Sequence, residues 1–415
     1  MTIAAVGETS TVQPTALDVD ALRAQFPILA GTSRGKPLIY LDSAATTQKP
    51  QVVLDALAAF YASGNANIHR GVYELSERAT VAYDGARSRV ARFIGASNDA
   101  EVVFVRGTTE AINLVARSFP AITPGCTVLV SEMEHHANIV PWQLAGARTV
   151  PIPVTDSGEL DMGAAEQLIG ERPAMLAVVH VSNTLGTVNP IAELCRMARA
   201  AGVPVLVDGA QAVGHFPVDV AALGCDFYCF SAHKLYGPTG IGVLWAKAPH
   251  LEQMPPWQGG GDMIDTVSFE RTTFAPAPGK FEAGTPHIAG VIGMVAAIDW
   301  LERQDRGALH AHEADLLAYG TALLDSIPSL RLVGTASDKI GVLTFTLAGV
   351  HPHDLASLLD ADGICVRAGH HCTQPLHRRL GLPATTRASL APYNTHAELD
   401  LLAGSLQSAA AVFAG

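Results

Sequence analysis

Between Val102 and Trp245 the chain repeatedly sets a short, unbroken apolar run beside an amphipathic stretch. The runs are Val102–Val105, Thr127–Val130, Thr149–Pro151, Met175–Val181, Val203–Val207, Asp226–Phe230 and Gly242–Trp245. A strand with one wet face alternates apolar and polar residues, whereas a strand covered on both faces does not. Unbroken runs of this length therefore predict strands buried between two helical layers. Glu110–Arg117 and Ile191–Ala201 carry the apolar period of the helices between them. The alternation predicts an α/β fold with a mainly parallel central sheet and helices on both faces.

Near Pro255 the texture changes. The segment PPWQGGGDMIDTVSFERTTFAPAPGK is rich in Gly, Pro and Thr and predicts a long excursion with a short hairpin. A helix is expected from about Ile288 to Glu302. Beyond it the pattern predicts helix 307–326, strands 329–334 and 340–347, helix 352–361, a strand over 364–366 and a last helix from about His396. Two domains are expected: a large one over 16–305, whose 16–30 segment packs as a helix against the other, and a small α+β one over 306–415. Residues 1–15 show no hydrophobic period and are expected to be a disordered tail.

A net charge of -12 and the lack of any basic run argue against nucleic acid as a partner. No apolar run reaches the roughly 20 residues of a membrane span. No basic and then apolar leader opens the chain, so a cytoplasmic protein is expected. The six cysteines, Cys126, Cys195, Cys225, Cys229, Cys365 and Cys372, form no CxxC pair, which suits reduced thiols rather than a zinc or disulfide framework.

The chemistry concentrates at the ends of the apolar runs. In SAHKLYGPTGIG, Lys234 follows a strand end and sits beside Ser231 and His233. A lone lysine there is a surface residue; with phosphate-binding neighbours it becomes a Schiff-base candidate. In VLVDGAQAVG, Asp208 ends another strand, with Gln211 close behind. Alone it reads as a helix cap; under a pyridine nitrogen it would keep that nitrogen protonated. VRGTTEAINLV places Gly107, Thr108 and Thr109 before a helix, an anion-binding pattern. SEMEHHANIVPW offers two adjacent histidines, for which an imidazole that stacks on a cofactor ring and shuttles protons is preferred to a metal ligand. In VRAGHHCTQPLHRRLG, Cys372 lies among Arg367, two histidines, Arg378 and Arg379, a setting expected to favour thiolate. Arg387 in TTRASLAPYNT is a candidate to hold a substrate carboxylate.

SAHKLYGPTG, VDGAQAVGH, RGTTEAINLV, MEHHANIVPW, FEAGTPH and RAGHHCTQP together resemble a SUF-type, second-group cysteine desulfurase. That group belongs to the fold-type I, class V aminotransferase-like enzymes, and the resemblance runs from about Asp18 onward. It implies pyridoxal 5'-phosphate carried on Lys234, with Asp208 at the pyridine nitrogen, Gln211 at the ring hydroxyl and His135 stacked on the ring. It implies Thr108, Thr109, Ser231 and His233 at the phosphate, joined by Thr285 from the second subunit of a homodimer. Asn183, Arg387, Arg367 and His69 would bind or surround L-cysteine, and Cys372 would take its sulfur as a persulfide while alanine leaves.

The RxGHHC pattern and the GGGDMI insertion mark the group with a short nucleophile loop. Such a loop implies a docked sulfur-acceptor protein, of U type or E type, in iron–sulfur cluster assembly. His353 in GVHPHDLA is the candidate for zinc exchange with a U-type acceptor, against a plain surface histidine. Other readings are a selenocysteine lyase on the same scaffold, a class V aminotransferase or epimerase, and a cofactor-free binding scaffold. Cys372 within RAGHHC argues against the transaminase, and the set Lys234, Asp208 and His135 argues against the scaffold.

Overall fold

The computed structural model describes residues 17–413; the 1–15 tail expected above lies outside the described residues. One large sheet organises the chain. From edge to edge its strands are Val102–Val105, Gly242–Ala246, Phe227–Ser231, Val205–Asp208, Met175–Val179, Thr127–Ser131 and Arg148–Ile152. Gly242–Ala246 runs antiparallel to both neighbours, and the other adjacent pairs are parallel.

Burial explains the unbroken apolar runs. Val103, Val128, Val130, Leu206, Phe227, Cys229 and Leu244 point into a core on one face of the sheet. The residues between them in sequence, among them Val102, Phe104, Leu129, Val205, Val207, Tyr228 and Val243, point into a core on the other. The inner strands thus contribute to two cores, and a polar residue at either parity would be buried there, whereas the edge strand Arg148–Ile152 buries only Ile152 fully.

The helices follow the same logic. Ile191–Ala201 buries Ile191, Leu194, Cys195 and Ala198, one stripe at helical spacing, and ends at Gly202 in the left-handed region. Ile288–Arg303 packs against Gln51–Ala59 and Glu74–Phe93, two helices that the sequence reading had not singled out. The excursion after Pro255 carries the expected hairpin, Ile264–Val267 with Thr272–Phe274.

A second, four-stranded antiparallel sheet has the order Leu330–Val333, Val342–Leu347, Thr385–Ser389, Arg367–Gly369. Thr385–Ser389 was not foreseen as a strand. Ile39–Tyr40 pairs in parallel with Ile364–Cys365, and Asp42 bridges to Ser389, so an early segment is built into the late part of the fold. The opening helix Val19–Arg23, capped by Asp18, also reaches that part: Arg23 bonds the Tyr393 carbonyl and pairs with Glu398. Among the described residues no helix is long and apolar enough to cross a membrane.

Candidate active site

A cavity of about 230 Å³ opens at the carboxyl ends of the central strands. Open sheets bind ligands at that end. Lys234 lies on its floor, one short turn beyond the strand Phe227–Ser231. Burial and the nearby Arg387 hold the Lys234 amine down at about 8, against the pull of Asp208. The peptide just before it is stapled from far away in sequence. The His233 carbonyl accepts from the Thr47 amide at 3.0 Å, the Thr46 hydroxyl at 3.0 Å and Lys49 Nζ at 3.1 Å.

Asp208 ends its strand fully enclosed and accepts a 2.9 Å bond from the Ala210 amide. Burial raises its pKa, while that amide and Lys234 oppose the shift. Gln211 is fixed by a 2.7 Å bond from Nε2 to the Ala44 carbonyl.

The strand Val102–Val105 leads through Gly107 into the helix Thr108–Ser118. Gly107 has φ 154, and a Cβ there would meet Ser231 Oγ at 3.0 Å. Ser231 Oγ accepts from the Thr108 amide at 2.9 Å and shares a 2.9 Å bond with the Thr108 hydroxyl. Thr108, Thr109, Ser231 and His233 line this end of the cavity. Here hydroxyls and the first amides of a helix converge, which suits an anion.

His135 lies over the cavity from the end of Thr127–Ser131. Burial and Lys234 push its pKa down to about 4. Its Nδ1 accepts from the Ala137 amide at 3.0 Å, so the neutral ring carries its proton on Nε2. The loop is anchored beneath by Glu134, fully buried, which takes bonds from Ser131 Oγ at 2.5 Å, Asn138 Nδ2 at 2.7 Å and the Val179 amide at 2.8 Å.

Cys372 reaches the cavity from the other side and is exposed. Its loop is strained: His371 and Cys372, neither of them glycine, have φ of 49 and 59. The cationic setting expected around this thiol needs correction. Arg379 turns away to Asp156 at 2.9 Å and to Glu132. His371 is buried, and burial with the neighbouring Arg387 drives its pKa to about 2, so it is neutral. The cations that share the cavity with Cys372 are Lys234, Arg367 and Arg387.

Arg387 is 2% exposed and bonds the Asn183 carbonyl at 2.7 Å and Asp42 Oδ1 at 3.0 Å. Arg367, on the neighbouring strand, bonds the same Asp42. Asn183 donates to the His371 carbonyl at 2.7 Å.

Three expected site residues lie elsewhere within this chain. His69 pairs with Asp84 at 3.1 Å, outside the cavity lining. Thr285 is exposed and lines a separate cavity with Tyr83, Glu282 and His287. His353 is exposed at the start of the helix Pro352–Ala361, stacked on His351. Asp42, Lys49 and His136 escaped the sequence reading. Asp42 ends an apolar segment just as Asp208 does, and that parallel is the one signal that pointed to it.

The arrangement fits pyridoxal phosphate. It offers a primary amine of lowered basicity, a buried carboxylate at the floor, an anion cradle and a neutral imidazole. His233 Nδ1 and Asn183 Oδ1, both beside the cavity, are buried without a partner among the described residues, as a site completed by a polar ligand requires. Among the described residues no group of three or more His, Cys, Asp or Glu could hold a metal ion.

Comparison with known proteins agrees. The Aminotransferase class-V family model matches residues 39–402. The cysteine desulfurase of Dickeya dadantii is 53% identical over 395 residues, 94% of this chain and 96% of that protein. The probable cysteine desulfurase of Mycolicibacterium paratuberculosis is 52% identical over 92% of this chain, which spans 57% of that protein's length. The crystal structure of the cysteine desulfurase CsdA from Escherichia coli, in an S-sulfonic acid form, superposes with a TM-score of 0.88 at 42% identity, covering 96% of this chain and all of that one. Placed beside a cavity lined by both a buried lysine and an exposed cysteine, these matches show that the chain belongs to the class-V aminotransferase family, among its pyridoxal-phosphate-dependent cysteine desulfurases.

Proposed function

We propose that this chain removes sulfur from L-cysteine and holds it on Cys372. The observation that carries this reading is the sharing of one cavity by Lys234, the two arginines and Cys372. A fold and a lysine alone would serve many reactions; an exposed thiol facing the same space serves sulfur transfer.

When bound, pyridoxal phosphate supplies the electron sink that makes a substrate Cα proton removable and loosens its Cβ–S bond. The protein supplies the rest. Arg387, with Asn183 at its side, binds the substrate carboxylate. Lys234, its amine pKa lowered by burial to about 8, is the base placed to take the Cα proton, through the minor neutral fraction it keeps near neutral pH. His135 presents Nε2–H to the cavity and can pass a proton to or from the reacting sulfur. Cys372 Sγ, as thiolate, forms a new S–S bond to the substrate sulfur while the Cβ–S bond breaks. The bonding electrons stay with Cβ, which takes up the proton shed by the substrate thiol, Lys234 returns its proton to Cα, and alanine leaves; the sulfur remains as a persulfide.

The short RAGHHC loop supports a second-group, SUF-type assignment, with Cys372 discharged to a docked acceptor protein for iron–sulfur cluster assembly. Exposure of Cys372 suits such docking, and exposed His353 is available to an acceptor's zinc. In this reading Thr285 completes the phosphate site of a second copy in a homodimer, which accounts for its place outside its own chain's cavity.

The test is sulfide release from L-cysteine with reductant, with and without candidate acceptors, for the wild type and Cys372→Ala. The variant should bind cysteine, shown by a shift in visible absorbance, yet release no sulfide. Full turnover in Cys372→Ala would overturn the assignment, and turnover restored on selenocysteine alone would favour the lyase.

A further inference from the structure

We propose that His136 is a positioning residue that holds the Cys372 loop in its reactive pose by gripping the backbone on both sides of Thr373. The proposal rests on Cys372 as the sulfur acceptor. The grip itself is a matter of geometry.

Two adjacent residues that are not glycine, His371 and Cys372, lie in the left-handed region. Such a conformation persists only where its surroundings enforce it. His136 contacts the loop twice. Its amide donates to the Cys372 carbonyl at 2.8 Å, and its ring Nε2 accepts from the Gln374 amide at 3.0 Å. Across the loop, Asn183 Nδ2 holds the His371 carbonyl at 2.7 Å. The loop backbone is therefore fastened at residues 371, 372 and 374 while the thiol itself stays exposed.

His136 is well placed to act as a fixed point. Glu134, two residues earlier, is pinned by Ser131, Asn138 and Val179 in the interior. His135, the residue before it, faces the cofactor cavity. The pair of histidines thus divides its work: the first ring addresses the cavity and the second the nucleophile loop. To accept from Gln374, Nε2 must be unprotonated. Burial and the neighbouring His370 both lower the pKa of His136, which keeps the acceptor available.

The backbone half of the grip survives any side-chain change, so substitution removes only the ring's half. The experiment uses cofactor-loaded protein carrying His136→Ala, His136→Asn or His136→Gln. The glutamine amide can place its oxygen near the position of Nε2; the asparagine amide is too short. In the Ala and Asn variants, amide exchange over residues 371–374 should quicken by about tenfold or more, because a local opening becomes easier. Iodoacetamide labelling of Cys372, resolved by peptide mass spectrometry, should change by about threefold or more. Single-turnover persulfide formation should slow about tenfold, with KM within about twofold and the cofactor absorbance unchanged. His136→Gln should recover exchange and persulfide formation to within about threefold of wild type.

Unchanged exchange at the loop in both Ala and Asn variants, or a Gln variant no better than Asn, would overturn the proposal. A wild type that forms no persulfide would instead sink the sulfur-transfer reading, and the exchange measurements would still decide the grip.

Discussion

Arg367 and Arg387 face each other directly across neighbouring antiparallel strands, and the single carboxylate of Asp42 bonds both, at 3.0 Å to each Nη2. Like charges opposed in this way destabilise a sheet unless something neutralises them. Asp42 does so, and it also occupies one edge of the buried Arg387 guanidinium. Asp42→Asn should leave that pair more strongly attractive to anions. Propionate should inhibit cysteine turnover about fivefold more tightly, and dianionic malonate should gain more than propionate. Competitive inhibition constants for the two acids check this; equal or weaker inhibition by malonate would remove Asp42 from the role.

Lys234 should set the pH dependence of cofactor capture. Its amine pKa of about 8 lies below the usual lysine value, so the neutral, reactive form is scarce below pH 8 and dominant above it. The rate at which cofactor-free protein gains visible absorbance should rise about tenfold per pH unit below that point and level off beyond it. Because Asp208 raises the Lys234 pKa, Asp208→Asn should move the inflection to lower pH. A rate that climbs unbroken to pH 10 would contradict the assignment. Lys234→Ala should gain no such band.

Gly107 should be intolerant of a side chain. Ala there meets both a left-handed φ and Ser231 Oγ. Gly107→Ala should weaken pyridoxal phosphate binding by about tenfold or more through a displaced anion cradle. Equilibrium dialysis measures the effect.

Glu134 predicts a pH-dependent stability. Burial lifts its carboxyl from 4.5 to about 7. A raised pKa means that the folded protein holds the proton more tightly than the unfolded chain does. Its contribution is therefore present in full below about pH 4.5 and is lost as the pH rises through 7. The stability of the wild type relative to Glu134→Gln should fall across that window, by a few kcal/mol at most. Denaturant melts of both proteins at several pH values check the sign.

The central sheet was legible because burial on both faces forces unbroken apolar runs, and its seven strands fall where those runs lie. Lys234, Asp208, His135 and Thr109 were legible because each follows a strand end, where the fold gathers them. The strand Thr385–Ser389 was harder to read: its residues are mostly small or polar, yet all five are buried, and only Arg387 among them lines the cavity. Asp42 and Lys49 were hidden for another reason. Their partners lie far along the chain, 345 positions from Asp42 to Arg387 and 184 from Lys49 to His233, and local pattern says nothing about such meetings. The thiol's cationic setting was read only in part: Arg367 shares its cavity as expected, but Arg379 has its own acidic partners, which only the folded chain brings near.

The parallel pairing of Ile39–Tyr40 with Ile364–Cys365 has a consequence for biogenesis. Asp42 cannot meet Arg367 until a further 325 positions have been added. A chain growing from the ribosome therefore carries Lys234 long before it has a finished place for substrate. The central sheet can assemble early, but contacts this distant in sequence close late and slowly. The pairing thus sets an order of events during synthesis: a nascent chain acquires its lysine well before it can handle sulfur.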